Sequence, residues 1–314
     1  MEDQTLTTQD QTMTTQKLIK KIRALAKEKN AIILAHNYEP PQIQQIADLC
    51  GDSLELSIKA SKTPADIIVF CGVHFMAETA YILSPEKTVL LPNPDAGCPM
   101  ADMVDPVALL ARKKALGNIP VITYVNSSAA VKAVSDICCT SANVIRITNS
   151  IETDEILMTP DRNLAQYAAA NTNKKIHLWK GYCPFHNNLT AKDVAEAKAA
   201  HPEALFIAHP ECPPEILLLA DSIQSTSGMI RFAGESENDQ FILGTETGII
   251  YPISKAHPSK QFYPASEKMY CTDMKKITLA HVLASLENLT GQIRVPEDIR
   301  VAALGSVQKM IDMK

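Results

Sequence analysis

The chain has 314 residues, enough for two or three ordinary domains and a substantial core, with 46% hydrophobic and 21% charged side chains. Its 30 basic and 35 acidic residues leave a net charge of −5, which argues against a nucleic-acid or anionic-membrane partner. No apolar run approaches the ~18 residues that a membrane span needs.

The chain opens on a segment rich in Thr and Gln, residues 1–16, without the basic start and apolar stretch of a secretory signal. It reads as a disordered tail, and the chain as cytoplasmic. In a reducing cytosol the eight cysteines are expected as thiols, metal ligands or small buried hydrophobes rather than disulfides. Beyond the tail, short apolar runs alternate with helical stretches. Strands are predicted at Ala31–Ala35, Asp66–Cys71, Thr88–Leu91, Pro120–Val125, Val144–Thr148, Ile176–Trp179, Ala204–Ala208 and Phe241–Leu243. The runs are continuous rather than alternating, as parallel strands covered on both faces require. Asp105-Pro106 supplies an N-cap and a first-turn proline, and Thr190 to Asp193 has the form of a capping box. The fold class is therefore α/β with parallel sheets.

The pattern repeats three times. Strands end in the polar clusters His36-Asn37-Tyr38, Tyr124-Val125-Asn126 and His209-Pro210-Glu211, and 17 positions after each cluster begins stands a hydroxyl: Ser53, Ser141 and Thr226. Successive units are offset by 88 and 85 residues. Cysteines provide an independent check: Cys98, Cys183 and Cys271 fall 62, 59 and 62 positions after the start of each cluster. Cys50 and Cys138 share another offset, where the third unit has Ile223, and read as small buried residues; Cys71, Cys139 and Cys212 have no threefold counterpart. The expected organisation is three similar αβα units, residues 17–103, 104–187 and 188–272, in pseudo-threefold symmetry around a central active site. The C-terminal helices within residues 273–314 are expected to pack back on the first unit.

Ligands of open parallel sheets bind beyond the carboxyl ends of the strands, so the three loops can converge on one cavity. Hydroxyls and free N–H groups at helix starts suit anionic oxygens, which points to a substrate bearing carboxylates, a phosphate, or both. Taken singly, each feature has a plainer explanation as a helix cap, a structural histidine or a core cysteine. Three thiolates can bind zinc or an iron–sulfur cluster, and spacing alone leaves both open. A zinc-dependent lyase or hydrolase and a non-catalytic binder of a small phosphorylated or dicarboxylic ligand are the competing functions. No nucleotide-binding glycine motif is present.

His36-Asn37-Tyr38-Glu39, Gly51-Asp52-Ser53, Phe70 to Glu78, Asp95 to Met100, Tyr124-Val125-Asn126, Trp179 to Pro184, His209 to Cys212, Ser225-Thr226-Ser227 and Met274-Lys275-Lys276 together resemble the quinolinate synthase family from about Leu18 to the C-terminus. The resemblance implies condensation of iminoaspartate with dihydroxyacetone phosphate to quinolinate, phosphate and water on the route to NAD. It also implies a functional link to the enzyme that makes iminoaspartate from aspartate. An oxygen-sensitive [4Fe–4S] cluster is implied on Cys98, Cys183 and Cys271, and substrate binding at His36, Ser53, Tyr124, Asn126, Ser141, His209, Glu211 and Thr226. Glu211, His209 and Tyr38 are the expected catalytic residues. Cys271 has no second cysteine shortly after it, so the redox-sensitive pair of some relatives is not expected. His186 is assigned either to the cavity or to support of the Cys183 loop.

Overall fold

The computed structural model describes residues 8–313. Three successive stretches of chain repeat one order of elements. The first runs α1 (Thr8–Glu28), β1 (Ala31–His36), α2 (Pro41–Ile46), β2 (Leu49–Gly51), α3 (Ser53–Lys62), β3 (Ile67–Cys71), α4 (His74–Leu83) and β4 (Thr88–Leu90). The second runs α5 (Pro106–Ala115), β5 (Val121–Tyr124), α6 (Ala129–Ala133), β6 (Ile137–Cys139), α7 (Val144–Ser150), β7 (Glu155–Thr159), α8 (Arg162–Ala170) and β8 (Lys175–Leu178). After the short α9 (Pro184–Asn187), the third runs α10 (Ala191–Ala200), β9 (Leu205–Ala208), α11 (Pro214–Leu217), β10 (Ser222–Ile223), α12 (Thr226–Glu235), β11 (Gln240–Gly244), α13 (Ile250–Ala256) and β12 (Gln261–Pro264). Each stretch folds its strands into a four-stranded, all-parallel sheet in which the second strand lies outside the first and the third and fourth follow on the other side: β2-β1-β3-β4, β6-β5-β7-β8 and β10-β9-β11-β12.

The central strands are buried through nearly their whole length, which accounts for the unbroken apolar runs Ile32–Ala35 and Ile67–Cys71. In register, Cys50 of β2 and Cys138 of β6 take the place that Ile223 takes in β10. Cys138 is buried and Cys50 half-buried.

The structure differs from the sequence-based expectation at several points. Residues 1–7 of the expected tail lie outside the described residues, and from Thr8 the chain is helical in α1. Val144–Thr148 is not a strand but the start of α7. Its buried Val144, Ile147 and Thr148 follow helical spacing, and Asn143 closes the preceding turn by accepting from Thr140 N at 2.8 Å. The strand of that region is β7, eleven residues further on. A short apolar run does not distinguish the two states, and here the turn decides. The edge strands β2, β6, β10 and β12 were absent from the predicted set; three of them have two or three residues.

Two C-terminal helices complete the chain. α14 (Leu279–Asn288) lies along α1, whereas α15 (Glu297–Asp312) lies chiefly against α6 and β6 of the second unit and also meets α4, so the pair does not pack on the first unit alone. The segment between them is fastened to β4: Leu91 N donates to Gly291 O at 2.8 Å and Ile293 N to Val89 O at 2.9 Å. Among the described residues no helix is long and apolar enough to cross a membrane.

Gly291 has φ +76°, and a Cβ there would stand 2.1 Å from the Leu91 carbonyl oxygen. Gly291→Ala is expected to destabilise the protein by about 2 kcal/mol or more, from the left-handed backbone and the clash together. Equilibrium denaturation measures this. A midpoint equal to that of the unsubstituted protein refutes the latch.

Candidate active site

A strand buried on both faces has room for polar side chains only where it leaves the sheet. β1 and β5 end in His36 and Tyr124, and β9 ends immediately before His209. In each sheet the chain runs from the first strand outward to the second and then back to the third, so a crevice opens beyond the end of the first strand. The helices α3 and α12 begin at that crevice with Ser53 and Thr226. Neither is the cap of its helix. Asp52 caps α3, accepting from Leu54 N and Glu55 N, each at 3.0 Å, and Ser225 caps α12. With the capping done by their neighbours, Ser53 and Thr226 line the cavity. Ser141 lies in the turn before α7 rather than in a helix.

His36, Tyr38, Ser53, Tyr124, Asn126, Ser141, His209, Glu211 and Thr226 line one cavity. A second is lined by Cys98, Cys183 and Cys271 from three distant parts of the chain, with Val73, Phe75, His186 and Glu246. The two share Tyr38, Asn126, Glu211 and Met274, so one continuous site carries thiols at one end and hydroxyls at the other.

Glu211 stands at the junction. Its Oε2 lies 3.1 Å from His209 Nδ1 and 3.3 Å from His186 Nδ1, while Oε1 is buried without a protein partner. Asn126 Oδ1 is buried and unpartnered in the same junction. Burial opposes both charges of the Glu211–His186 pair, since it raises the carboxyl and lowers the imidazole to about 4. The two histidines outweigh that effect on Glu211 and hold it below the usual carboxylate range. At neutral pH His186 is thus a neutral hydrogen-bonding ring and Glu211 carries the charge. His36 is lowered to about 3, by burial first and then by Lys275 and His209. Burial and the Glu211 charge raise Tyr38 and Tyr124 well above an ordinary phenol, so both remain protonated.

Contacts extend from this junction across all three units. Tyr38 Oη lies 2.6 Å from Thr245 Oγ1 and 3.2 Å from Thr226 Oγ1, Thr245 Oγ1 lies 2.9 Å from His186 Nε2, and His209 Nε2 lies 3.2 Å from Ser141 Oγ. His186 has both roles considered for it: it lines the cavity and contacts Cys183 Sγ at 3.2 Å. Cys183, His186 and Glu211 present ligand atoms within 4.8 Å of one another, a group able to hold a metal ion. Cys71 and Cys212 are buried, and Cys212 donates to Gly244 O.

Thr245, Asp161, Glu246 and Lys275 were missed as functional residues. The first three lie at the ends of the third strands, β11 and β7. Asp161 accepts from Cys183 N at 3.1 Å and Glu246 from Cys271 N at 3.0 Å, so a buried carboxyl group positions each of these two cysteine loops. Both stand 37 positions after the start of their unit's polar cluster, where the first unit has Val73. That common offset was the available signal. Burial, then Glu211, push Asp161 up to about 8 against the N–H groups of Leu164, Cys183 and Asn163. Lys275 pairs with Glu246 at 2.9 Å and donates to the Tyr38 carbonyl, tying the third unit to the first.

The model of the quinolinate synthetase A protein family matches residues 20–312. The chain is 54% identical to the quinolinate synthase of Geobacter metallireducens over 93% of its own length and 96% of that protein. It is 51% identical to quinolinate synthase 1 of Methanosarcina acetivorans over 95% and 98% of the two chains. With the quinolinate synthase of Thermodesulfovibrio yellowstonii it shares 49% identity over 94% and 98%. A match over nearly the whole chain, to relatives of almost equal extent, shows that the protein belongs to the quinolinate synthetase A family.

Proposed function

We propose that this chain is a quinolinate synthase that condenses iminoaspartate with dihydroxyacetone phosphate, releasing phosphate and water on the route to NAD. In this reading Cys98, Cys183 and Cys271 hold a [4Fe–4S] cluster, and the protein works in the cytoplasm downstream of the enzyme that makes iminoaspartate from aspartate. The observation that carries the reading is the two-ended cavity: three thiols at one end, and hydroxyls, imidazoles and the buried Glu211 carboxylate at the other.

The donor set suits the cluster. Soft sulfur ligands come from three separate loops, and the mostly apolar wall around them includes Val73, Phe75 and Met100. Burial pushes the lone thiols up, Cys98 to about 12 and Cys271 to about 11, so they need a cationic group to become thiolates. The buried, unpartnered Glu211 Oε1 and Asn126 Oδ1 face the same space and call for a ligand there. When bound, a cluster held by three thiolates leaves one iron as a Lewis acid.

The remaining roles belong to the chain itself. Glu211 is anionic, with Oε2 held by two histidines and Oε1 free, which suits a general base for the proton transfers of the condensation. His209 orients it. Tyr38, kept protonated, can give a proton during rearrangement of the triose. Ser53, Ser141 and Thr226 offer hydroxyls to carboxylate or phosphate oxygens. His36, Tyr124 and Asn126 bound the substrate between the two ends. The grouping of Cys183, His186 and Glu211 supports a second reading, a single metal ion such as zinc. Metal and acid-labile sulfide analysis of anaerobically purified protein separates the two.

Single replacement of Cys98, Cys183 or Cys271 by Ala is expected to abolish the cluster's visible absorption and lower bound iron and sulfide, with far-ultraviolet circular dichroism unchanged. Cys50→Ala serves as the control. Full iron and sulfide in any of the three variants excludes the assignment. Glu211→Gln is expected to lower kcat by about 10²–10⁴-fold with the cluster retained. Near-normal turnover of the two proposed substrates by that variant rules out its role as the base.

A further inference from the structure

Lys132 is the one lysine among the described residues with no exposure to solvent. It sits on α6, donates to the Ser127 carbonyl, and forms none of the ion pairs found among the described residues. Its Nζ stands 5.5 Å from the centre of the Phe75 ring, and Phe75 lines the cysteine cavity. A buried ammonium without an adjacent anion is costly.

The repeat shows which part of this arrangement is structural. Lys132 stands eight positions after Tyr124, and its counterparts in the other units are Gln44 and Leu217. Gln44 Nε2 donates to Asn37 O at 3.0 Å and Glu39 O at 2.8 Å, fastening the loop that Lys132 fastens in the second unit. A neutral amide is therefore sufficient for the loop, and the positive charge at 132 needs a separate explanation.

We propose that Lys132 is the buried countercharge of the thiolate-bound group in the cysteine cavity, acting across the Phe75 ring to favour that group's reduced form. Burial lowers the pKa of Lys132, while Glu78, Cys138 and Cys98 oppose the shift; of these three, Cys98 lines the cysteine cavity. Glu78 is the carboxylate of that set. It caps the start of α6 by accepting from Ala129 N at 2.9 Å. A cluster with several thiolates carries net negative charge, and adding an electron increases it, so a nearby cation raises the reduction potential.

The inference rests on the cluster reading above, and the test separates the two. Wild type, Lys132→Gln, Lys132→Arg and Glu78→Gln are reconstituted anaerobically, and their midpoint potentials are measured by dithionite titration followed by electron paramagnetic resonance, alongside iron content and thermal midpoint. Lys132→Gln, which keeps the loop donor used in the first unit, should keep the wild-type thermal midpoint. Its reduced-to-oxidised ratio at the wild-type midpoint should fall about tenfold, a shift of ~59 mV to more negative potential for one electron. Lys132→Arg should remain close to wild type. Glu78→Gln, which removes a negative charge from the same region, should shift the potential the other way. Wild-type potentials in both neutralised variants overturn the inference and leave Lys132 a loop strut. Failure of the wild-type protein to take up iron and sulfide overturns the cluster reading instead.

Discussion

A parallel strand covered on both faces can carry polar chemistry only at its carboxyl end, and that constraint organises this molecule. His36, Tyr124 and His209 each stand where a central strand leaves its sheet, with apolar strand behind and cavity ahead. Because the three sheets share one strand order, the three exits are equivalent, and a site assembled from them receives one contribution from each unit. The edge strands and the helices that follow bring Ser53, Ser141 and Thr226 to the same cavity.

Within the cavity the dominant electrostatic fact is a buried carboxylate among imidazoles. Burial penalises every charge there, so only one form of each group is tolerated. His36 and His186 are neutral, the tyrosines are protonated, and Glu211 is ionised because two ring nitrogens face a single oxygen. The same penalty keeps isolated thiols protonated at the opposite end, which makes that end receptive to a cationic ligand and inert without one.

Threefold repetition has been kept where it shapes the cavity and relaxed where individual chemistry is needed. Carboxyl groups at equivalent positions, Asp161 and Glu246, hold the backbone of two cysteine loops, while the first unit has Val73. Gln44 and Lys132 fasten equivalent loops with different charge. The asymmetry lies in individual side chains, and the sheet frame remains the same in all three units.

The α/β class, the three equivalent polar clusters and the singling out of Cys98, Cys183 and Cys271 were legible in the sequence, because burial of parallel strands and internal repetition both leave periodic traces. The family likeness was legible in runs such as Gly97-Cys98-Pro99. Tertiary structure alone decided the rest. Whether Val144–Thr148 was strand or helix depended on a turn closed by Asn143. That His186 meets Glu211 and Thr245, that Lys275 joins the third unit to the first, and that α15 lies on the second unit are contacts between residues far apart in the chain. Periodicity records which faces are buried, whereas the partner across a buried face is set by how the units pack.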